Sequence, residues 1–158
     1  MKDEIRIQVR RLLLEQRWAA LATQGDDGNP SVSFVAYATD PEFAGFLLYV
    51  SRLAAHTRNL LARPAAALAV SEPDDGHGDP QLLRRITIEG SISVIVRETP
   101  DYHASRERYL AKLPQAEQLF GFEDFVLMRL RPQTARYVGG FARAFQLSPE
   151  QLRRVSGV

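Results

Sequence analysis

Over residues 2–17 the apolar positions Ile5, Val9, Leu12 and Leu13 recur every three or four residues among charges, which predicts an amphipathic helix with one buried stripe. The period then shortens. Residues 18–23 are mostly apolar, 25–30 are dense in turn formers (Gly-Asp-Asp-Gly-Asn-Pro), and 31–38 alternate small polar with apolar residues, which reads as strand, hairpin loop, strand. After Asp-Pro and Gly punctuation, the run Phe46-Leu-Leu-Tyr-Val50 reads as a third, largely buried strand. Residues 51–63 turn helical, with Ser51 at the start, and Pro64 stops them because it cannot donate to the helical ladder and disfavours helix just before it.

Residues 65–70 return to strand composition, 72–81 form a polar loop rich in Pro and Gly, and 85–96 make the longest β-branched stretch in the chain. Thr99-Pro100 caps a helix that carries Tyr102, Tyr109, Leu110 and Leu113 on one side and ends near Pro114. Residues 125–130 and 134–138, separated by Pro132, read as the sixth and seventh strands, and Ser148-Pro-Glu-Gln151 as a capping box before a short terminal helix. Short strands in meander order with one crossing helix favour a mainly β chain, an antiparallel, Greek-key-like barrel with peripheral helices, since closure removes exposed sheet edges. One domain over 1–158 is expected, with neither internal repeat nor low-complexity tract.

Composition narrows the chemistry. With 20 Lys and Arg against 19 Asp and Glu, the net charge of +1 supplies no long-range field for nucleic acid or anionic membrane, so any anion site is local. The absence of cysteine excludes disulfides, thiolate metal sites and cysteine nucleophiles, and leaves three histidines as the soft ligands. No metal site is expected. No apolar run approaches the roughly 18 residues of a membrane span, and a cytoplasmic location is expected.

The segment 49–60 carries the most chemical information. A buried strand runs into a helix start, whose unpaired N–H groups and partial positive charge are joined by the hydroxyls of Ser51 and Thr57 and by Arg52, His56 and Arg58. That set suits a phosphate ester. It also reads as an ordinary helix cap with a solvated basic face, because no glycine-rich loop accompanies it.

Four segments in order, Gly28-Asn-Pro-Ser-Val-Ser-Phe-Val-Ala-Tyr-Ala38, Ser51-Arg-Leu-Ala-Ala-His-Thr-Arg-Asn-Leu60, Arg84-Arg-Ile-Thr-Ile-Glu-Gly90 and Arg136-Tyr-Val-Gly-Gly-Phe-Ala-Arg-Ala-Phe145, resemble the pyridoxamine-phosphate-oxidase-like FMN-binding split barrels, in the branch related to the haem-utilisation proteins HugZ and HutZ. The resemblance covers nearly the whole chain. It implies an FMN phosphate held by Ser51, Arg52, His56 and Thr57 with Asn59 nearby, a flavin ring lying along Ser33, Val35 and Tyr37, and a lateral contact from Arg85. It also implies a homodimer with two interfacial sites, to which residues 138–143 of the partner contribute.

Departures from the family pattern shape the functional expectation. Ser33 and Ala38 stand where true pyridoxamine phosphate oxidases carry basic residues, so vitamin B6 oxidation is not expected. The leading expectation is an FMN-dependent oxidoreductase acting on a small molecule, with FMN or a deazaflavin relative as cofactor and no assigned acid or base. The alternative is a haem-binding or haem-degrading protein. In it the axial histidine that the family places near the C-terminus is missing after His103, and His56 is the only motif histidine. His77 and His103 read as solvated residues, and Gly139-Gly140 as a bend.

Overall fold

The computed structural model describes residues 1–140 and 143–157. The predicted stripe of helix α1 (Asp3–Glu15) is buried, with Ile5, Val9, Leu12 and Leu13 turned inward. Strands β1 (Trp18–Gln24) and β2 (Pro30–Ala36) form the expected hairpin, in register from Trp18 opposite Ala36 to Gln24 opposite Pro30. Its loop turns on Gly28, whose φ of 80° lies in the left-handed region that glycine adopts without steric cost.

The remaining elements are β3 (Ala38–Thr39), β4 (Phe46–Ser51), α2 (Ala55–Ala62), β5 (Ala65–Ser71), β6 (Arg85–Val94), α3 (Pro100–Lys112), β7 (Phe125–Val138), β8 (Ala144–Leu147) and α4 (Pro149–Val155). One antiparallel sheet runs β2-β1-β5-β6-β7-β4-β3, with β8 paired to β7. Strands β2 and β3 lie at opposite ends of that path, yet Tyr37 alone separates them in the chain. The sheet must therefore curl until its two ends meet, which is the barrel expected from the sequence.

Tyr37 fills the closure. It is fully buried, its hydroxyl donates to the Leu13 carbonyl at 2.9 Å, and Lys112 Nζ lies 3.8 Å from its ring centre. The barrel interior holds Leu21, Val35, Phe46, Leu48, Val50, Leu68, Ile86, Ile88 and Met128, with α1 and α4 packed on it. A second cluster joins Leu47, Tyr49 and Leu127 to Tyr102, Tyr109 and Leu113 of α3 and its C-cap. The continuous apolar run of β4 follows from this: alternate residues face the barrel and α3, so both faces are covered.

Three details depart from the sequence expectations. The segments 125–130 and 134–138 are one strand, β7, because Gly90 faces Pro132 at a bulge where β7 carries one extra residue, Gln133, and the missing proline N–H is absorbed by the break in register. A Cβ at Gly90 would run into the Arg131 carbonyl, which is why glycine stands there. Helix α2 begins at Ala55 rather than Ser51, with Ala54 as an N-cap lacking a side-chain bond. A 3-10 turn follows α3 over Pro114–Gly121 where a simple helix end was expected.

The two other predicted caps form. Thr99 accepts from the Tyr102 N–H, and Ser148 and Gln151 complete both halves of a capping box. Among the described residues no helix is long and apolar enough to cross a membrane.

Candidate functional site

The junction of β4 and α2 packs against the β1–β2 hairpin through a set of polar side chains. The strand alternation of β2 sends Ser31, Ser33 and Val35 to one face and Val32 and Phe34 to the other, and α2 lies on the Ser33 side. There His56, in the first turn of α2, is half-buried, with Nδ1 3.0 Å from Ser33 Oγ. Burial holds its pKa below the usual histidine value, which favours a neutral imidazole at neutral pH.

One turn further along α2, Asn59 donates from its side-chain amide to Thr23 Oγ1 at 3.0 Å, tying the helix to β1. Thr57 lies between them, fully buried, and its hydroxyl has no hydrogen-bond partner among the described residues. An unpartnered buried hydroxyl costs about 1–3 kcal/mol.

Ser51 behaves differently from its expected phosphate role. Its hydroxyl donates to Asp124 Oδ2 at 2.8 Å and accepts from the Leu53 N–H, while the Arg52 N–H donates to the Asp124 carbonyl at 2.7 Å. A phosphate drawn to this hydroxyl would stand beside the Asp124 carboxylate, and like charges about 4 Å apart repel by about 4 kcal/mol at an effective dielectric of 20. The Arg52 and Arg58 side chains are exposed at the same junction, the latter donating to the Leu53 carbonyl at 2.7 Å. Leu53 is 75% exposed between them, an apolar side chain left in solvent beside two cations.

Of the residues singled out from the sequence, the structure therefore brings Ser33, Ser51, Arg52, His56, Thr57 and Asn59 to one junction. Val35 and Tyr37 do not follow: both side chains point into the barrel core, and the Tyr37 hydroxyl is committed to Leu13, so neither presents a surface to a ring. Arg85 is exposed and donates to the carbonyls of Gln81 and Leu83, bracing the preceding loop rather than reaching the His56 cluster or pairing with Glu89. Of the segment 138–143, Phe141 and Ala142 lie outside the described residues.

Sequence reasoning missed Asp124, Thr23 and the exposed stack of Trp18 on Phe34, whose rings lie 5.6 Å apart and nearly parallel. The stack was legible in principle, since Val32 and Phe34 are out of phase with the inward Ser31, Ser33 and Val35. Asp124 was not, because it lies more than seventy residues from Ser51 in a polar turn.

The family model described as pyridoxamine 5'-phosphate oxidase matches residues 5–139. The chain is 42% identical over 129 residues to the chloroplastic haem oxygenase HOZ of Arabidopsis thaliana, covering 81% of this chain and 37% of that protein. It is 24% identical to the haem oxygenase HutZ of Vibrio cholerae, over 96% of this chain and 86% of HutZ. A solved haem-binding protein from Mycobacterium smegmatis superposes with a TM-score of 0.85 at 29% identity, over 94% of this chain and 60% of that one. The chain thus spans little more than a third of HOZ and less than two thirds of the mycobacterial protein.

Proposed function

The chain belongs to the pyridoxamine 5'-phosphate oxidase family, and from that premise we propose that it binds haem at the β4–α2 junction and takes part in haem breakdown. This replaces the FMN-dependent oxidoreductase expected from the sequence. The relatives overturn that expectation: HOZ and HutZ are named haem oxygenases and the mycobacterial protein is described as haem-binding. The observation that carries the reading is the 42% identity to HOZ across 81% of this chain.

The residues at the junction fit the group. Haem presents a flat apolar macrocycle, two carboxylates and an iron that accepts a nitrogen ligand. Leu53 offers exposed apolar surface, Arg52 and Arg58 offer guanidinium groups to carboxylates, and His56 offers a neutral imidazole. The Asp124 carboxylate beside Ser51 disfavours a dianionic phosphate there, as argued above. Bound haem would supply the oxygen chemistry; Arg52 and Arg58 would hold its carboxylates and Leu53 would pack against the ring.

Two copies of the chain are proposed to assemble, through the face of β1 and β2 that carries Trp18, Val32 and Phe34. The purified chain is to be titrated with haem and with FMN in parallel, and the haem complex then exposed to a reductant in air. One intense violet absorption band that saturates at one haem per chain, and then decays, is the expected result. Tight FMN uptake with no haem band would overturn the proposal, and a haem band that survives reductant and air would reduce it to binding alone.

A further inference from the structure

Haem binding as proposed above leaves the iron ligand open. We propose that Nε2 of His56 is the axial ligand of the haem iron, with Ser33 as the residue that orients the ring; this rests on the haem reading of the same junction. Among the described residues no group of three histidine, aspartate or glutamate side chains converges on a metal position. Iron that arrives in a porphyrin brings four nitrogens with it and asks the protein for one strong ligand, so a single well-held histidine suffices.

The three histidines are not equivalent candidates. His77 sits in the polar loop after β5, exposed, with its ring turned to the carbonyl of Asp75. His103 is exposed on α3 and packs edge-on to Tyr102. His56 alone is half-buried and fixed by a side chain from a different element, the 3.0 Å contact between Nδ1 and Ser33 Oγ.

That contact is the arrangement a metal-binding imidazole requires. A ligating histidine almost always donates its other ring N–H to an acceptor, which fixes the tautomer and directs the free lone pair at the metal. In the tautomer that donates Nδ1–H to Ser33 Oγ, the lone pair belongs to Nε2, which makes no hydrogen bond among the described residues. The neighbours also match an amphipathic dianion: Leu53 three residues before it, and the exposed guanidinium groups of Arg52 and Arg58 on either side in sequence.

The test is spectroscopic and needs no turnover. Ferric and ferrous haem complexes of the full chain are compared by absorption and resonance Raman spectroscopy with those of His56→Ala, His77→Ala, His103→Ala and Ser33→Ala. His56→Ala is expected to shift the violet band and abolish the iron–imidazole stretch, both restored by added imidazole, while His77→Ala and His103→Ala leave the spectra unchanged. Ser33→Ala is expected to keep the ligand but shift its stretching frequency and weaken haem binding by roughly tenfold, the usual effect of losing a group that orients a ligand.

His56→Cys guards against a variant that fails for reasons of folding, since ligation at this position would replace the imidazole spectrum with a thiolate one. A His56→Ala complex with the parent's spectrum, or a loss on His77→Ala or His103→Ala instead, overturns the assignment while leaving haem binding intact. A parent chain that takes up no haem overturns the functional reading, and this assignment with it.

Discussion

At the scale of single residues, the best-defined feature outside the junction is the charge network around Arg129, which is 8% exposed. Its guanidinium donates to Asp40 and Asp101 and to the Ser105 hydroxyl, and Arg108 adds a second cation to Asp40 at 3.0 Å. Gly45 leaves the room for this: a Cβ there would strike both Asp40 and the Arg129 side chain. Removing one member of a buried pair leaves the other charge desolvated, so Asp40→Asn is expected to lower the stability to urea unfolding by about 3–5 kcal/mol. Asp101→Asn should cost much less, because that carboxylate is half exposed, even though its hydrogen bond to Arg129 holds its pKa below the usual carboxylate range. Equal losses from the two variants would show that burial is not what sets the cost. The buried tyrosines set the alkaline limit of the fold. Burial pushes Tyr109 up to about 12 and raises Tyr37 further, while an unfolded tyrosine ionises near 10. The native state then keeps protons that the unfolded chain releases, so their stabilisation is complete below pH 10 and is lost as pH rises through the folded values. At pH 11 Tyr109 alone accounts for a loss of about 1.4 kcal/mol. Melting temperatures that stay flat from pH 9 to 11 would contradict this.

At the scale of elements, β6 and β7 form the longest pairing of the sheet, and the Gly90–Pro132 position is its one break in register. Gly90→Ala forces a Cβ toward the Arg131 carbonyl, and overpacking of this kind costs typically about 1–3 kcal/mol. Pro132→Ala is expected to be nearly neutral, because the bulge already leaves that ladder position unbonded. A Gly90→Ala chain as stable as the parent by urea midpoint would mean that the bulge yields without cost. The same place shows how far the sequence could be read. Helix α1, the β1–β2 hairpin and the caps at Thr99 and Ser148 were legible because their signals are local: a 3.6-residue period, a turn-rich loop, a hydroxyl three residues ahead of an N–H. The continuity of β7 was not, since Pro132 ends a strand by every local rule and only a glycine more than forty residues earlier in the chain permits it to stay. The same limit governs the site. The Ser51–Thr57 cluster was visible as a run of hydroxyl and basic residues, but the commitment of Ser51 to Asp124, and of Tyr37 to the core, depends on partners that folding brings from elsewhere.

At the scale of the whole molecule, Trp18, Val32 and Phe34 are 58%, 66% and 60% exposed on the outward face of β1 and β2. Along β1 and at the end of β2 the same face continues through the small side chains of Ala20, Ala22 and Ala36, so it is flat as well as apolar. A flat apolar face on strands at one end of a sheet invites association, and self-association covers it without any other partner. Phe34→Glu places a charge at the centre of that face. Several kcal/mol of desolvation would oppose burying it, and each 1.4 kcal/mol weakens a dimer about tenfold. Sedimentation velocity at micromolar concentration is therefore expected to show a dimer for the parent chain and a monomer for Phe34→Glu, with the circular dichroism of the two alike because the side chain is outside the core. A monomeric parent chain, or a variant that remains dimeric, would remove this face from the interface. The consequence reaches the junction, because Phe34 is the neighbour of Ser33 on the same strand, with one side chain on each face of β2. Covering the outer face immobilises the strand that holds His56 through Ser33. Phe34→Glu should then weaken haem binding as well as assembly, and the loss should diminish at chain concentrations high enough to restore the dimer. A loss of haem affinity that does not change with chain concentration would place the effect within one chain and not in its assembly.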